Sequence, residues 1–130
     1  MELNELTSKI IGASIEVHKN LGPGLLEKTY EECLCIELER VGLRYEKQIT
    51  LSIEYKGRLI EGAYRIDVLV EDKIILELKA IEQVEKIHKA QLLTYLKLSN
   101  KELGLLINFN VELLKSGISR VINTVNKNSV

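Results

Sequence analysis

The feature that most constrains the fold is a change of period in the middle of the chain. Between residues 43 and 55 the apolar residues Leu43, Tyr45, Ile49, Leu51, Ile53 and Tyr55 all fall at odd positions, with Arg44, Glu46, Gln48, Thr50, Ser52 and Glu54 between them. This alternation predicts a strand with one wet face. Residues 64–80, YRIDVLVEDKIILELKA, alternate again, with Tyr64, Ile66, Val68 and Val70, then Ile74, Leu76, Leu78 and Ala80, at even positions. They read as an antiparallel hairpin whose other face carries Arg65, Asp67 and Leu69 on one strand and Glu77 and Lys79 on the next. The faces of the two strands match only if paired positions sum to an even number. That selects a three-residue loop, 71–73, over a two-residue turn at Glu71 and Asp72. It also sets Asp67 directly opposite Glu77, with Cβ atoms about 4.5–5.5 Å apart and Lys79 further along the same face.

Helical spacing precedes the strands. Leu3, Leu6, Ile10, Ile11, Ala13, Ile15 and Val17 predict an amphipathic helix from residue 3 to about 21, ended by LGPG. A second stripe runs through Leu25, Leu26, Tyr30, Cys33, Leu34, Ile36, Leu38 and Val41, and Gly42 is placed to stop it. Lys56 and Gly57 form a turn into a second strand, and the hairpin adds a third. Residues 88–98 read as a helix, and GLLINF, 104–109, as a buried strand. The segment VELLKSGISRVIN is left as strand or loop followed by a short element. The expected order is α-α-β-β-β-α-β, an α/β domain with a mixed central sheet flanked by helices.

Composition bounds the function. A chain of 130 residues is read as one domain, 1–130, large enough for a real core, with a polar tail from about residue 123 that frays. With 45% hydrophobic and 28% charged residues and no long apolar run, neither a membrane span nor a secretory leader is expected, and the protein is read as cytoplasmic. Cys33 and Cys35 point to different faces of a helix and are read as thiols, at least one of them buried. A net charge of −1 gives no global attraction to nucleic acid, so such a partner must be held by a local basic patch. There is no Gly-rich phosphate loop, and GPG joins two helices instead of following a strand, so no nucleotide cofactor is expected.

Two carboxylates as close as Asp67 and Glu77 repel unless a proton or a cation lies between them. Oxygen ligands at that spacing suit a hard divalent ion such as Mg²⁺. Acids and lysines also commonly decorate wet strand faces, and three such residues alone are a weak signal. The surrounding pattern strengthens it. Asp67, nine intervening residues and Glu77-Leu78-Lys79, followed by a helix with Gln91 and Tyr95, resemble the PD-(D/E)xK nuclease superfamily. Gly24, Glu27 and Tyr30 in GPGLLEKTY have the spacing of its small GxxExxY proteins, and EVHKNLGPGLLE, DVLVEDKIILELKA, QLLTYL and LLINF resemble successive blocks of that family. Ile66 stands where the superfamily name has Pro.

The resemblance implies a restriction-endonuclease-like core and a nuclease dependent on Mg²⁺ or Mn²⁺, acting on nucleic acid, DNA ahead of RNA. It implies Asp67 and Glu77 as metal ligands with the Leu78 carbonyl, Glu27 as a further ligand, and Lys79 as the group that positions or deprotonates water. For Glu27 the alternative is to complement the helix dipole. Gln91 and Tyr95, at i and i+4, share a helical face that supports the site; the alternative is a polar flank with a core Tyr. His18 and His88 are read as structural. Lys86, Lys89, Lys97, Lys101 and Arg120 are candidates for a basic rim, with solvated surface charge as the alternative. So small a domain is expected to work as a homodimer or with a partner. Two other readings stay open: a catalytically inactive nuclease-fold module for nucleic-acid binding or assembly, and a purely structural homo-oligomer.

Overall fold

A computed structural model describes residues 1–124. Its elements are α1 (Leu3–Leu21), α2 (Glu27–Arg40), β1 (Tyr45–Tyr55), β2 (Arg58–Val70), β3 (Ile74–Lys79), α3 (Lys86–Ser99), β4 (Leu103–Asn108), a 3₁₀ turn (Leu114–Gly117) and β5 (Ile118–Ile122). The expected order holds, and the ambiguous segment after β4 resolves into the 3₁₀ turn and β5. One sheet has the order β1-β2-β3-β4-β5, antiparallel except for the parallel pair β3 and β4. A parallel pair needs a crossover, and α3 supplies it. Of the expected polar tail, Asn123 is buried and its backbone N–H donates to the Glu102 carbonyl (2.8 Å); residues 125–130 lie outside the described part.

Helices cover both faces of the sheet. Leu6, Ile10, Ala13 and Val17 of α1 and Tyr30, Leu34 and Leu38 of α2 pack with Val68, Val70, Leu76, Leu78, Leu105 and Ile107. On the opposite face Leu92, Tyr95 and Leu96 of α3 pack with Ile66, Leu69, Ile75 and Leu106. Because β3 and β4 are covered on both sides, all but Lys79 at the end of β3 are buried, which explains the nearly continuous apolar runs. Gly104 permits the close approach of α3: a Cβ there would stand 2.8 Å from Leu92 Cδ1.

The turns follow the expected lengths. Lys56 and Gly57, both at positive φ, separate the paired residues Tyr55 and Arg58. Three residues separate the paired Val70 and Ile74; Glu71 and Asp72 have positive φ, and the Lys73 N–H donates to the Val70 carbonyl (3.0 Å).

The expected faces need correction. In β1 Tyr45 packs on the α1/α2 side, whereas Ile49 and Leu51 pack on the α3 side. In β2 Tyr64 and Ile66 lie on the α3 side, whereas Val68 and Val70 lie on the α1/α2 side. Both strands change face at one place, where Gln48 and Asp67 are left out of a register that otherwise runs unbroken from Tyr45 to Leu51 and shifts only beyond it, between Leu51 and Ile53. Gln48 has φ +54°, a left-handed conformation that breaks the pleat. Odd positions of the hairpin are therefore not a wet face: Leu69 and Ile75 are core residues.

Candidate active site

The β2/β3 ladder pairs Val68 with Leu76, Leu69 with Ile75 and Val70 with Ile74, and goes no further. The register is the expected one, yet Asp67 and Glu77 are not a ladder pair. The strands part there, and side chains take over the backbone bonding. The Asp67 N–H donates to Glu77 Oε2 (2.9 Å), and the Leu78 N–H donates to Asp67 Oδ2 (2.8 Å). Each carboxylate thus spends one oxygen on the neighbouring strand. The second oxygen of each makes no hydrogen bond among the described residues.

Electrostatics reflect this crowding. Burial is the main cause that pushes Glu77 up to about 8, and the charge of Asp67 adds to it; the Asp67 N–H and Lys79 act the other way. Asp67 is also raised, first by burial, against the lowering effects of the Leu78 N–H and of Lys79. Glu77 is only 6% exposed. A carboxylate so placed holds a proton near neutrality unless a cation replaces it.

A cavity of about 390 Å³ opens beside Asp67, lined by Glu27, Glu31, Gln48, Arg65, Asp67 and Leu78, with Lys28 at its side. Glu27 begins α2, and its Oε2 accepts from the Ala80 N–H (3.3 Å), just beyond β3. Tyr30 secures the loop that delivers this helix: its hydroxyl donates to the Gly22 carbonyl (2.6 Å) and accepts from the Leu25 N–H (3.2 Å), and its ring stacks on Phe109 at 4.4 Å. Gly24 has φ +96° in that loop, so Gly24, Glu27 and Tyr30 act as one local device. A larger hollow, about 660 Å³, lies between α1 and α2 and contains none of these site residues.

Lys79 ends β3 half-buried, and its charge acts on both Asp67 and Glu77. The segment beyond it is pinned by buried Asn108, whose side chain bonds both the N–H (3.1 Å) and the carbonyl (3.0 Å) of Ile81. Tyr95 is buried on α3, tilted against Tyr64 at 5.6 Å, and its hydroxyl is raised by burial and then by the charges of Glu77 and Asp67. Gln91, one turn earlier, is exposed and bonds to none of these groups. A strand residue's N–H and C=O point the same way, so the Leu78 carbonyl emerges on the side where its N–H meets Asp67.

Both histidines are structural. His18 Nε2 lies 2.8 Å from the Val111 carbonyl and 3.2 Å from that of Phe109. His88 closes a capping box with Glu85 at the start of α3. Lys86, Lys89 and Lys97 are exposed on α3 and Arg120 on β5. Lys101 is held by Asp72 (3.0 Å) at the β2/β3 turn, the other end of β3 from Lys79. Glu31, Gln48 and Arg65 were not singled out by sequence as site residues. Glu27 and Glu31 share a helix face at i and i+4, a signal open to reading. Gln48 gives none, because its inward turn depends on a backbone conformation that glutamine rarely adopts.

No group of three or more His, Cys, Asp or Glu side chains among the described residues could hold a metal ion. What is present is an all-oxygen set: two carboxylates, each with a free oxygen, beside a main-chain carbonyl. That set fits a hard ion which keeps several waters. No helix among the described residues is long and apolar enough to cross a membrane. No curated protein and no solved structure matches the chain significantly. A family model described as the PD-(D/E)XK nuclease superfamily matches residues 4–121, which include both carboxylates, the lysine and nearly all of the helices and sheet around them. By that match and by its mixed α/β fold, the chain belongs to the PD-(D/E)XK nuclease superfamily.

Proposed function

We propose that the protein is a metal-dependent phosphodiesterase that cleaves nucleic acid, with DNA ahead of RNA, and that Asp67, Glu77 and Lys79 carry the reaction. The observation that supports it is the crossed bonding of Asp67 and Glu77 where β2 and β3 part, with Lys79 within reach of both charges. Asp67, Glu77 and the Leu78 carbonyl would hold Mg²⁺ or Mn²⁺, with Glu27 lining the cavity that Asp67 and Leu78 also line. When bound, the ion supplies charge that polarises a phosphate oxygen and acidifies water. Lys79 holds the attacking water and stabilises negative charge developing on the phosphate. Tyr95, whose hydroxyl feels the charges of Glu77 and Asp67, supports the site from α3, and Gln91 extends that helix face toward substrate. The chain acts as a homodimer or with a partner that extends its small binding surface.

The test is Mn²⁺ binding by calorimetry at neutral pH to the wild type, Asp67→Asn and Glu77→Gln. Saturable binding weakened at least about tenfold in both folded variants supports the reading. No binding to the wild type sinks the metal-dependent enzyme and leaves an inactive nuclease-fold module for nucleic-acid binding or assembly.

A further inference from the structure

Gln48 sits inside β1 at φ +54°, and the four other non-glycine residues with positive φ among the described residues lie in turns or at a helix end: Lys56, Glu71, Asp72 and Asn100. A left-handed residue within a strand interrupts pairing and turns its neighbours over. Here Lys47 pairs with Val68 and Ile49 with Ile66, while Gln48 and Asp67 remain unpaired between them. On either side of this gap the strands exchange faces, Tyr45 for Ile49 and Val68 for Ile66. Normal alternation would return Val68 to the face of Ile66. The twist instead leaves Asp67 free of the β1 ladder and directs its carboxylate to the Leu78 N–H.

Something must hold a glutamine in that conformation. Its side-chain amide donates to Glu31 Oε1 at 2.6 Å, and Glu31 is buried, 8% exposed. The Glu31 carboxyl is raised, chiefly by burial, and the Gln48 amide acts against that rise. Glu31 stands one turn after Glu27 on α2, and Glu27 receives the Ala80 N–H. The bond therefore ties the start of α2 to the point where Asp67 of β2 drops out of its pairing with β1. Strain held at a site by a buried partner is a recognised way to fix functional geometry.

We infer that Gln48 is a positioning residue: anchored by Glu31, it maintains the left-handed break in β1 that turns Asp67 toward β3. This deepens the proposed function, because it names what preorganises a carboxylate of the metal site, and the break itself is testable without metal.

Gln48→Ala and Gln48→Gly both remove the amide, but only glycine occupies positive φ without penalty. Amide hydrogen exchange of the Leu78 N–H, compared with other β3 amides, reports the Asp67 bond in metal-free protein. The expected result is Leu78 exchange accelerated at least about fivefold in Gln48→Ala and near wild type in Gln48→Gly. Mn²⁺ affinity should follow the same order. Equal Leu78 protection in both variants and the wild type, or equal loss in both, overturns the inference. Wild-type protein that binds no Mn²⁺ sinks the functional reading, while the exchange comparison still decides the role of Gln48. A residue that only adds stability would change all β3 amides together, which also overturns it.

Discussion

Asp67 and Glu77 cross-bond the strands they come from: the carboxylate of Glu77 accepts the backbone N–H of Asp67, and the carboxylate of Asp67 accepts the N–H of Leu78, the neighbour of Glu77. The sheet can open at this point without orphaning buried N–H groups. The same arrangement concentrates negative charge in a poorly hydrated place. The bonding of this strand junction and the proposed chemistry thus rest on the same two side chains.

The first consequence is a pH dependence of the metal-free protein. Glu77 holds its proton up to about 8 in the folded state against 4.5 as its ordinary value. Between these values unfolding releases a proton, so stability falls as pH rises through that window. Asp67, also raised, acts with the same sign. Urea unfolding at pH 5, 6, 7 and 8 should show this decline, and Glu77→Gln should flatten it. A slope unchanged by the substitution would contradict the account.

Tyr30→Phe keeps the stack on Phe109 but loses both hydrogen bonds that fix the loop before α2. The expected cost is about 1–3 kcal/mol of stability, read from the urea midpoint at constant m-value. A variant as stable as the wild type would show that the loop does not need this tether.

Gly117 and Gly104 separate two kinds of close approach. A Cβ at Gly117 would lie 2.1 Å from the Asn108 carbonyl oxygen, which is backbone, whereas at Gly104 its nearest neighbours would be Leu92 side-chain atoms. Gly117→Ala should therefore destabilise more than Gly104→Ala, by about 1–3 kcal/mol over it. Thermal unfolding checks the order.

Cys33 is half-buried, and Cys35 is buried with its thiol pushed up to about 11 by desolvation. Iodoacetamide at neutral pH should modify Cys33 first and leave Cys35 intact until the protein unfolds. Peptide mass mapping would reveal the reverse order if α2 were packed differently.

The sequence was most legible where local chemistry and burial agree. Leu3, Leu6, Ile10, Ile11, Ala13 and Val17 mark the packed face of α1, although Ile15 of the same expected stripe is exposed; LGLLI is apolar because β4 is covered on both sides, and the parity of residues 64–80 selects the three-residue loop and the register that brings Asp67 near Glu77. Parity failed at Gln48 and Asp67, since it assumes an unbroken pleat and a left-handed glutamine leaves no mark in composition or period. Glu31 and Arg65 carry no mark of the cavity they line, because it forms only when α2 meets the kinked strands. The expected roles of Gln91, Tyr95 and the surface lysines depend on a bound substrate. Their placement on α3 was readable, since Gln91 and Tyr95 stand one helical turn apart.

The most direct measurement is cleavage of supercoiled plasmid and of labelled single-stranded DNA and RNA, with Mg²⁺, Mn²⁺ or EDTA, by the wild type, Asp67→Asn and Lys79→Ala. The account predicts cleavage by the wild type only with metal, DNA cut faster than RNA, and a loss of at least about a hundredfold in each folded variant. Wild-type cleavage that persists in EDTA, or Asp67→Asn and Lys79→Ala as active as the wild type, would contradict it.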